Sequence, residues 1–213
     1  MAERTNVHGL KLLLALLITI FVFVNIFLLA YSISFLKYQN VAETESDIKY
    51  ELLTLNIQKE FLNTCNEKVL NSISSELDKL GSIIAILEDR FGKDDEKVLQ
   101  QKKLYSLIEI QHFLNIKEYS KICNKNIDIL FFFYSNEKPY QDEATRIGRI
   151  LDNLKSERKG SLMIYSFDYD LDLEMIDILK ETYNVSSPNS ILINEEIVLE
   201  EISSKNQLEK YLK

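Results

Sequence analysis

The side chains that could carry chemistry in this chain are few and lie far apart in sequence. Its 213 residues include two cysteines, Cys65 and Cys123, which are too few and too distant for a local zinc site. These cysteines could form a structural disulfide, remain two unrelated buried thiols, or act as a redox pair. His112 is expected to be a packing or surface residue. We predict no metal, no cofactor and no catalytic residue.

Acidic residues alternate with other residues along the segment 168–174, as they do at the start of a calcium-binding loop. A loop of the EF-hand type needs glycine at its sixth position and glutamate at its twelfth. This chain has Leu173 and Leu179 at those positions. We therefore expect the acidic residues to cap a helix, through Asp170 or Asp172.

The overall composition is that of a folded, acidic protein. Hydrophobic residues make up 46% of the chain, and 5 glycines and 2 prolines are too few for a loop-rich protein. With 33 acidic and 25 basic residues the net charge is −8, and no basic cluster stands clear of acidic neighbours. The electrostatic footprint of a nucleic-acid-binding protein is missing, so we predict no nucleic-acid partner.

An uncharged, mostly apolar segment from Leu12 to Leu36 predicts a membrane-spanning helix. About 20 apolar residues cross a hydrocarbon core of roughly 30 Å, and this segment is longer. A cleavable signal peptide is the alternative, with Ala30–Ser32 as its cleavage site, although its apolar core is normally about 7–15 residues. Flanking positive charges are almost balanced. We predict a single-pass cell-membrane protein with its N-terminus inside and its soluble part extracytoplasmic.

Two long helices are predicted between Ile48 and Ile122, a stretch without proline. We expect the first to end at Gly92 and Asp94 to cap the second, which runs from about residue 95 to residue 119. The apolar stripe of the first helix comprises Ile48, Leu55, Leu62, Val69, Ile73, Leu77, Leu80, Ile84, Leu87 and Phe91. The second helix has apolar positions at Val98, Leu104, Leu107, Ile108 and Leu114.

Together the two helices are expected to form an antiparallel hairpin within residues 38–124, with the stripe buried in the chain's own fold. A dimeric coiled coil, which would make a homodimer, is the alternative. Cys65 and Cys123 lie 27 and 31 residues from the bend at Gly92. The hairpin therefore predicts that the two cysteines are neighbours and, in an oxidising exterior, form a disulfide.

After the N-terminal region 1–37 and the hairpin region 38–124, residues 125–213 are predicted to form an α/β domain with the order β-α-β-α-β-β-α. Its strands are expected at Ile127–Tyr134, Leu162–Phe167, Ser190–Asn194 and Ile197–Leu199. The continuous apolar character of the first two strands is typical of buried parallel strands. The helices are expected at Asp142–Ser156, Asp172–Tyr183 and Lys205–Leu212.

This order of elements resembles the thioredoxin-like superfamily, and two local features agree with it. Pro188 immediately precedes the third predicted strand, where thioredoxins carry a cis-proline, and Ser204–Leu212 is similar to their terminal helix. In thioredoxins a Cys-x-x-Cys motif after the first strand supplies the attacking thiolate. This chain has no cysteine between Tyr134 and Ala144, so no alignment of the motif with this segment supplies one. We therefore predict that the domain is redox-inactive and that the chain is not an enzyme.

The resemblance still implies a groove beside the proline that binds an extended peptide through main-chain hydrogen bonds. If the Ser187–Pro188 bond is cis, the backbone of Ser187 faces that peptide. The opposite wall would consist of Lys138, Pro139, Tyr140 and Gln141.

The predicted function is that of a membrane-tethered, redox-inactive, thioredoxin-like module that binds a protein or peptide partner or assists assembly. Its predicted contact with the bilayer is the apolar segment Leu12–Leu36. One alternative is a structural subunit of a membrane complex that docks through the helical hairpin. The other is an atypical thiol–disulfide oxidoreductase that uses Cys65 and Cys123.

Overall fold

A computed structural model of the chain describes residues 11–33, 46, 50, 53–54, 57, 61 and 64–213. The chain divides into two compact units, Met1–Thr44 and Glu45–Lys213. The predicted apolar positions Ile48, Leu55 and Leu62 lie outside the described residues, so that part of the predicted first helix is not treated further.

The first unit contains helix α1 (Lys11–Ile33), which is long and apolar enough to cross a membrane. At 1.5 Å per residue its 23 residues extend about 35 Å. Its polar side chains bond the backbone carbonyl four residues earlier, which satisfies them within the helix: Thr19 to Ala15, Asn25 to Phe21 and Ser32 to Leu28, at 2.7–2.8 Å. The predicted apolar helix is confirmed over these residues; positions 34–36 lie outside the described residues.

The second unit begins with the predicted hairpin of two helices, α2 (Glu67–Phe91) and α3 (Glu96–Cys123). Helix α2 ends at Gly92, whose φ of 93° favours glycine. The expected cap of α3 was one residue off, because the Asp95 carboxylate, and not Asp94, accepts the free N–H groups of Lys97 and Val98. The two helices pack against each other, with the start of α2 beside the end of α3.

A four-stranded mixed sheet follows, with strands β1 (Asp128–Tyr134), β2 (Leu162–Asp168), β3 (Ser190–Ile193) and β4 (Ile197–Leu199). The strand order is β2-β1-β3-β4, with β1 and β2 parallel and with β3 antiparallel to both β1 and β4. The accompanying helices are α4 (Lys138–Glu157), α5 (Glu174–Thr182) and α6 (Lys205–Glu209). The predicted mixed α/β architecture and its order of elements are confirmed.

The sheet buries a different set of side chains on each face because alternate residues of a strand point to opposite sides. Phe131 packs with the hairpin on one face, edge-on to Phe113 with a ring separation of 4.8 Å. Phe132 lies in the cluster on the other face, with residues of α4 and α6. The hairpin and the sheet therefore share one hydrophobic core.

The apolar stripe of α2 belongs to this shared core. Its described members from Ile73 to Leu87 are all buried: Ile73, Leu77, Leu80, Ile84 and Leu87. In the folded chain these five side chains are not exposed to a second copy or to another subunit. Over residues 73–87 this burial counts against a coiled coil and against docking through the stripe.

Of the apolar positions expected on α3, Val98 and Ile108 are buried, but the helix also buries polar residues that were not expected. Leu104 and Leu107 are half-buried and Leu114 is 49% exposed, whereas Lys102 and Glu109 are each 2% exposed. The reason is that α3 packs against both α2 and the edge strand β2, so its buried surface is wider than one apolar stripe. On the edge strand β2, the N–H of Ser166 donates to the Glu109 side chain at 2.9 Å.

Candidate functional site

The predicted groove lies at the junction between β1 and α4. Strand β1 ends at Tyr134, and α4 begins at Lys138 with Pro139 in its first turn. Proline lacks an N–H, but in the first turn that group would have no partner within the helix. The hydroxyl of Ser135 accepts the N–H of Glu137 at 3.1 Å and turns the chain from strand to helix. Because β1 and β2 are parallel, their carboxyl ends meet here, which is where ligands bind in open α/β sheets.

Asn189 fastens the loop before β3 to this junction. Its side chain donates to the carbonyl of Tyr140 at 2.9 Å and accepts the N–H of Ser135 at 3.2 Å. Its own N–H donates to the carbonyl of Phe133 at 2.6 Å. These bonds bring the two walls of the predicted groove together. Sequence analysis missed Asn189, although an asparagine after a proline and before a strand is a turn signal.

The structure places the six predicted groove residues around the hydrogen bonds of Asn189. Four are exposed in the first turn of α4, namely Lys138, Pro139, Tyr140 and Gln141, and two are half-buried in the loop, Ser187 and Pro188. The Ser187–Pro188 bond is trans, so the cis arrangement does not occur. The loop reverses instead at Asn189, whose φ is 62°, and the carbonyl of Ser187 accepts the Ser190 hydroxyl at 2.7 Å.

A cleft of about 780 Å³ opens between the carboxyl ends of β1 and β2, the start of α4 and the hairpin bend. We call it the carboxyl-end cleft. Six acidic residues and three lysines line it: Asp94, Glu96, Glu137, Asp168, Asp170, Asp172, Lys93, Lys103 and Lys138. The cleft is therefore acidic, and only Gln141 and Lys138 of the predicted groove residues belong to it.

The acidic residues after β2 do not cap α5, contrary to expectation. The N-cap of α5 is Leu173, which makes no side-chain cap bond. Asp170 instead accepts the hydroxyl of Ser135, and Asp172 pairs with Lys103 at 3.2 Å. These carboxylates are thus held at the cleft rather than at the helix.

A buried ion cluster supports the floor of the carboxyl-end cleft. The ammonium of Lys102 lies 2.6 Å from Glu88 Oε1 and 2.7 Å from Asp168 Oδ2. Burial by itself acts to lower the pKa of Lys102. The Tyr134 side chain and the charges of Asp168 and Glu88 oppose it, and the pKa rises above its ordinary value. Asn136 adds a donor to Asp168 at 3.1 Å.

Sequence analysis missed this cluster, although a signal was present. Lys102, Ser106 and Glu109 follow one another at steps of four and three and share a helix face with Phe113 and Ile116. All five are buried. Polar residues that continue an apolar stripe indicate a buried polar network rather than a solvated face.

The two cysteines lie at the opposite end of the hairpin from the cleft. Their sulfur atoms are 2.03 Å apart, so the predicted proximity of Cys65 and Cys123 is confirmed. Cys65 lies in a turn before α2 and not within a helix. The 25 residues of α2 separate the pair from the bend at Gly92 by about 37 Å.

His, Cys, Asp and Glu side chains nowhere gather in threes at metal-binding distance within the described part of the chain. Compared with models of known protein families and with curated proteins, the chain matches neither.

Proposed function

We propose that this chain is a membrane-tethered, redox-inactive, thioredoxin-like module that binds a basic segment of a protein or peptide partner at the carboxyl-end cleft. The observation that carries the proposal is an acidic cleft at the carboxyl ends of two parallel strands, without a sulfur atom beside it. Six carboxylates against three ammonium groups favour a partner of positive charge.

The thioredoxin-like character of the module is supported by its topology. Strands β1 and β2 are parallel and joined through α4, and the hairpin β3–β4 continues the sheet in antiparallel sense. The segment from Ser135 to Gln141, where the resemblance implies the reactive dithiol, contains no cysteine. Thiol–disulfide exchange there lacks its nucleophile. Cys65 and Cys123, about 37 Å along the hairpin, do not supply it.

The rim of the cleft offers a partner both apolar and polar contacts. Tyr140 is 39% exposed on the first turn of α4, where an aromatic ring can cover an apolar side chain of the partner. Lys138 and Gln141 stand beside it on the same turn and line the cleft. Pro188, on the facing loop, adds a rigid apolar surface.

Helix α1 would hold the module at the membrane, with the soluble unit in an extracytoplasmic compartment. The proximity of Cys65 and Cys123 supports this side, because disulfides persist in oxidising compartments. A membrane-impermeant maleimide added to intact cells should label these cysteines only after reduction. Labelling only after lysis would contradict the proposed orientation.

The binding proposal is tested with the full chain in lipid nanodiscs and extended peptides of matched length, rich in lysine or in glutamate. We expect the lysine-rich peptide to bind and its affinity to fall with salt. Replacement of Lys138, Tyr140 and Pro188 together by alanine should weaken binding by about tenfold or more, because the loss of the exposed Tyr140 ring at the rim outweighs the removal of one lysine charge from the cleft.

The matched control replaces Lys210 and Tyr211 by alanine. Tyr211 is as exposed as Tyr140, at 39%, but lies near the end of the chain, outside the carboxyl-end cleft. Equal binding by the triple variant and this control would contradict the assignment of this cleft. Equal binding of both peptides to the wild-type chain would contradict the role of charge.

A further inference from the structure

A second cleft, of about 760 Å³, lies between α2 and α4 on the α4 side of the sheet. We call it the α2–α4 cleft. Small residues line both of its walls, with Gly81 and Ala85 on α2 and with Ala144 and Gly148 on α4. A Cβ atom placed on Gly148 would meet nothing within 4 Å. The α4 wall is therefore open at Gly148, whereas on the α2 wall a Cβ atom on Gly81 would meet the Tyr105 hydroxyl at 2.7 Å.

Polar contacts bridge the two helices at both ends of the α2–α4 cleft. Lys155, late in α4, forms an ion pair with Asp78, near the middle of α2. Lys93, just after α2, donates to Asn136, just before α4, at 2.7 Å. Between these bridges Phe132 and Ile164 of the sheet form an apolar floor. The volume of the α2–α4 cleft lies within the range of about 300–1,000 Å³ that is typical of small-molecule sites.

Glu109 on α3 is the unusual group in this cleft. It is 2% exposed, and its Oε1 accepts the N–H of Ser166 at 2.9 Å. The Tyr105 hydroxyl lies near the carboxyl group, but Oε2 accepts no hydrogen bond from any described residue. A buried carboxylate oxygen without a donor costs free energy, so its retention calls for an explanation.

No lysine of the cleft supplies that donor. Lys102 is held by Glu88 and Asp168, Lys155 by Asp78, and Lys93 by Asn136. The cleft has four acidic residues against these three lysines, with Asp152 as the remaining acid. A donor to Glu109 Oε2 would therefore come from outside the described chain, and the excess of acidic residues in the cleft favours one of positive charge.

We propose that the α2–α4 cleft binds a small aliphatic primary amine, whose ammonium group donates to Glu109 Oε2. Its hydrocarbon chain lies between the glycine- and alanine-lined walls, above Phe132 and Ile164. Burial raises the pKa of Glu109 to about 8, so binding of the ammonium at neutral pH releases the proton that the empty site holds. The resulting carboxylate favours an ammonium over a hydroxyl, because charge-assisted hydrogen bonds are about twice as strong as neutral ones. Where they meet, the two clefts share Lys93, Asn136 and Gln141. The amine site at Glu109 nevertheless does not depend on the proposed peptide site.

The test uses the full chain in nanodiscs and ligand-detected NMR, with empty nanodiscs subtracted. The probe is n-pentylamine, and n-pentanol is the neutral ligand with the same hydrocarbon chain. We expect E109Q to lose about tenfold in affinity for n-pentylamine and to keep the wild-type affinity for n-pentanol. Equal n-pentylamine binding by E109Q and wild type, or none by the wild type, would overturn the proposal.

Filling the cleft tests the position of the hydrocarbon chain. G148L should abolish n-pentylamine binding, whereas G148A should retain it, since one methyl group fits the open space at Gly148. Retained binding by G148L would place the amine elsewhere and overturn the proposal. The triple variant of Lys138, Tyr140 and Pro188 should bind n-pentylamine normally, which separates this site from the carboxyl-end cleft.

Discussion

Replacing Glu109 with glutamine should change how the free energy of unfolding of the soluble unit depends on pH. Burial raises the pKa of Glu109 to about 8 from an ordinary 4.5, against the smaller opposing effect of the Ser166 N–H. Between these two values the unfolded chain has released the proton and the folded chain has kept it. The folded state binds more protons, so its stability falls as pH rises through this window.

The size of the effect follows from the difference between the two pKa values. Each pKa unit corresponds to about 1.4 kcal/mol, so ionising Glu109 costs the folded state about 5 kcal/mol by pH 8. Glutamine retains an oxygen for the N–H of Ser166 but has no proton to release. Relative to wild type, the free energy of unfolding of E109Q should therefore rise by about 1.4 kcal/mol per pH unit between about pH 4.5 and 8.

His112 acts in the opposite direction and shapes the wild-type curve. It is buried, with Nδ1 2.8 Å from the Tyr165 hydroxyl and Nε2 3.3 Å from Ser74 Oγ. Burial lowers the pKa of His112 from 6.5 to about 4, so its contribution to stability rises with pH between those values. The two effects nearly cancel up to pH 6.5. From pH 6.5 to 8 the wild-type chain should then lose about 2 kcal/mol through Glu109.

The assay is urea unfolding of the full chain in nanodiscs at half-unit pH steps, followed by the near-ultraviolet circular dichroism of its 11 tyrosines, since the chain has no tryptophan. Glu181→Gln, the same replacement at an exposed position of α5, is the control for the loss of one acidic side chain. A constant difference between E109Q and wild type across this range would refute the reasoning, because it would mean that Glu109 titrates normally in the folded state.

Substitutions at Lys102, Asn189 and Cys65, with Lys103 as a control, test the contacts that stabilise the second unit. Lys102→Met should cost about 3–5 kcal/mol of unfolding free energy, because two buried carboxylates lose their cation, whereas the exposed pair of Lys103 predicts about 0–1 kcal/mol for Lys103→Met. Asn189→Gly should cost about 1–3 kcal/mol of unfolding free energy, because two side-chain hydrogen bonds are lost. Asn189→Ala should cost about 1 kcal/mol more, because alanine is strained in the left-handed backbone conformation of this position. Equal costs would contradict this backbone strain. Cys65→Ser should cost about 3–4 kcal/mol of unfolding free energy, because the cross-link between Cys65 and Cys123 is lost. Reduction of the wild-type chain should cost the same amount, and reduction of the variant should cost nothing further.

Much of the architecture was predictable because it depends on local patterns. The uncharged segment after Leu12 fixed α1, and the apolar runs around Phe131 and Tyr165 fixed the parallel strands. Gly92 marked the hairpin bend, whose position in turn predicted that Cys65 and Cys123 are neighbours. Each of these predictions used periodicity or a residue with a special backbone conformation.

The chemistry of the clefts was not predictable in the same way, because it depends on contacts between distant segments. The burial of Lys102 follows from Asp168, 66 residues later, and that of Glu109 from the edge of β2. A helix that packs on two partners has no single apolar stripe, so the spacing of Lys102 and Glu109 in line with Phe113 indicated a buried polar network but not its partners. The side-chain bonds of Asn189 likewise join it to Tyr140 and Ser135, which lie 49 and 54 residues earlier.

The central claim, that a basic segment binds at the carboxyl-end cleft, is tested most directly by site-specific photo-crosslinking in intact cells. A photoreactive phenylalanine analogue replaces Tyr140 in one variant and the equally exposed Tyr211 in another. We predict adducts to a partner at position 140 that a lysine-rich peptide suppresses and a glutamate-rich peptide does not, with none at position 211. Adducts of equal yield at both positions, or adducts at position 140 that neither peptide suppresses, would contradict the account.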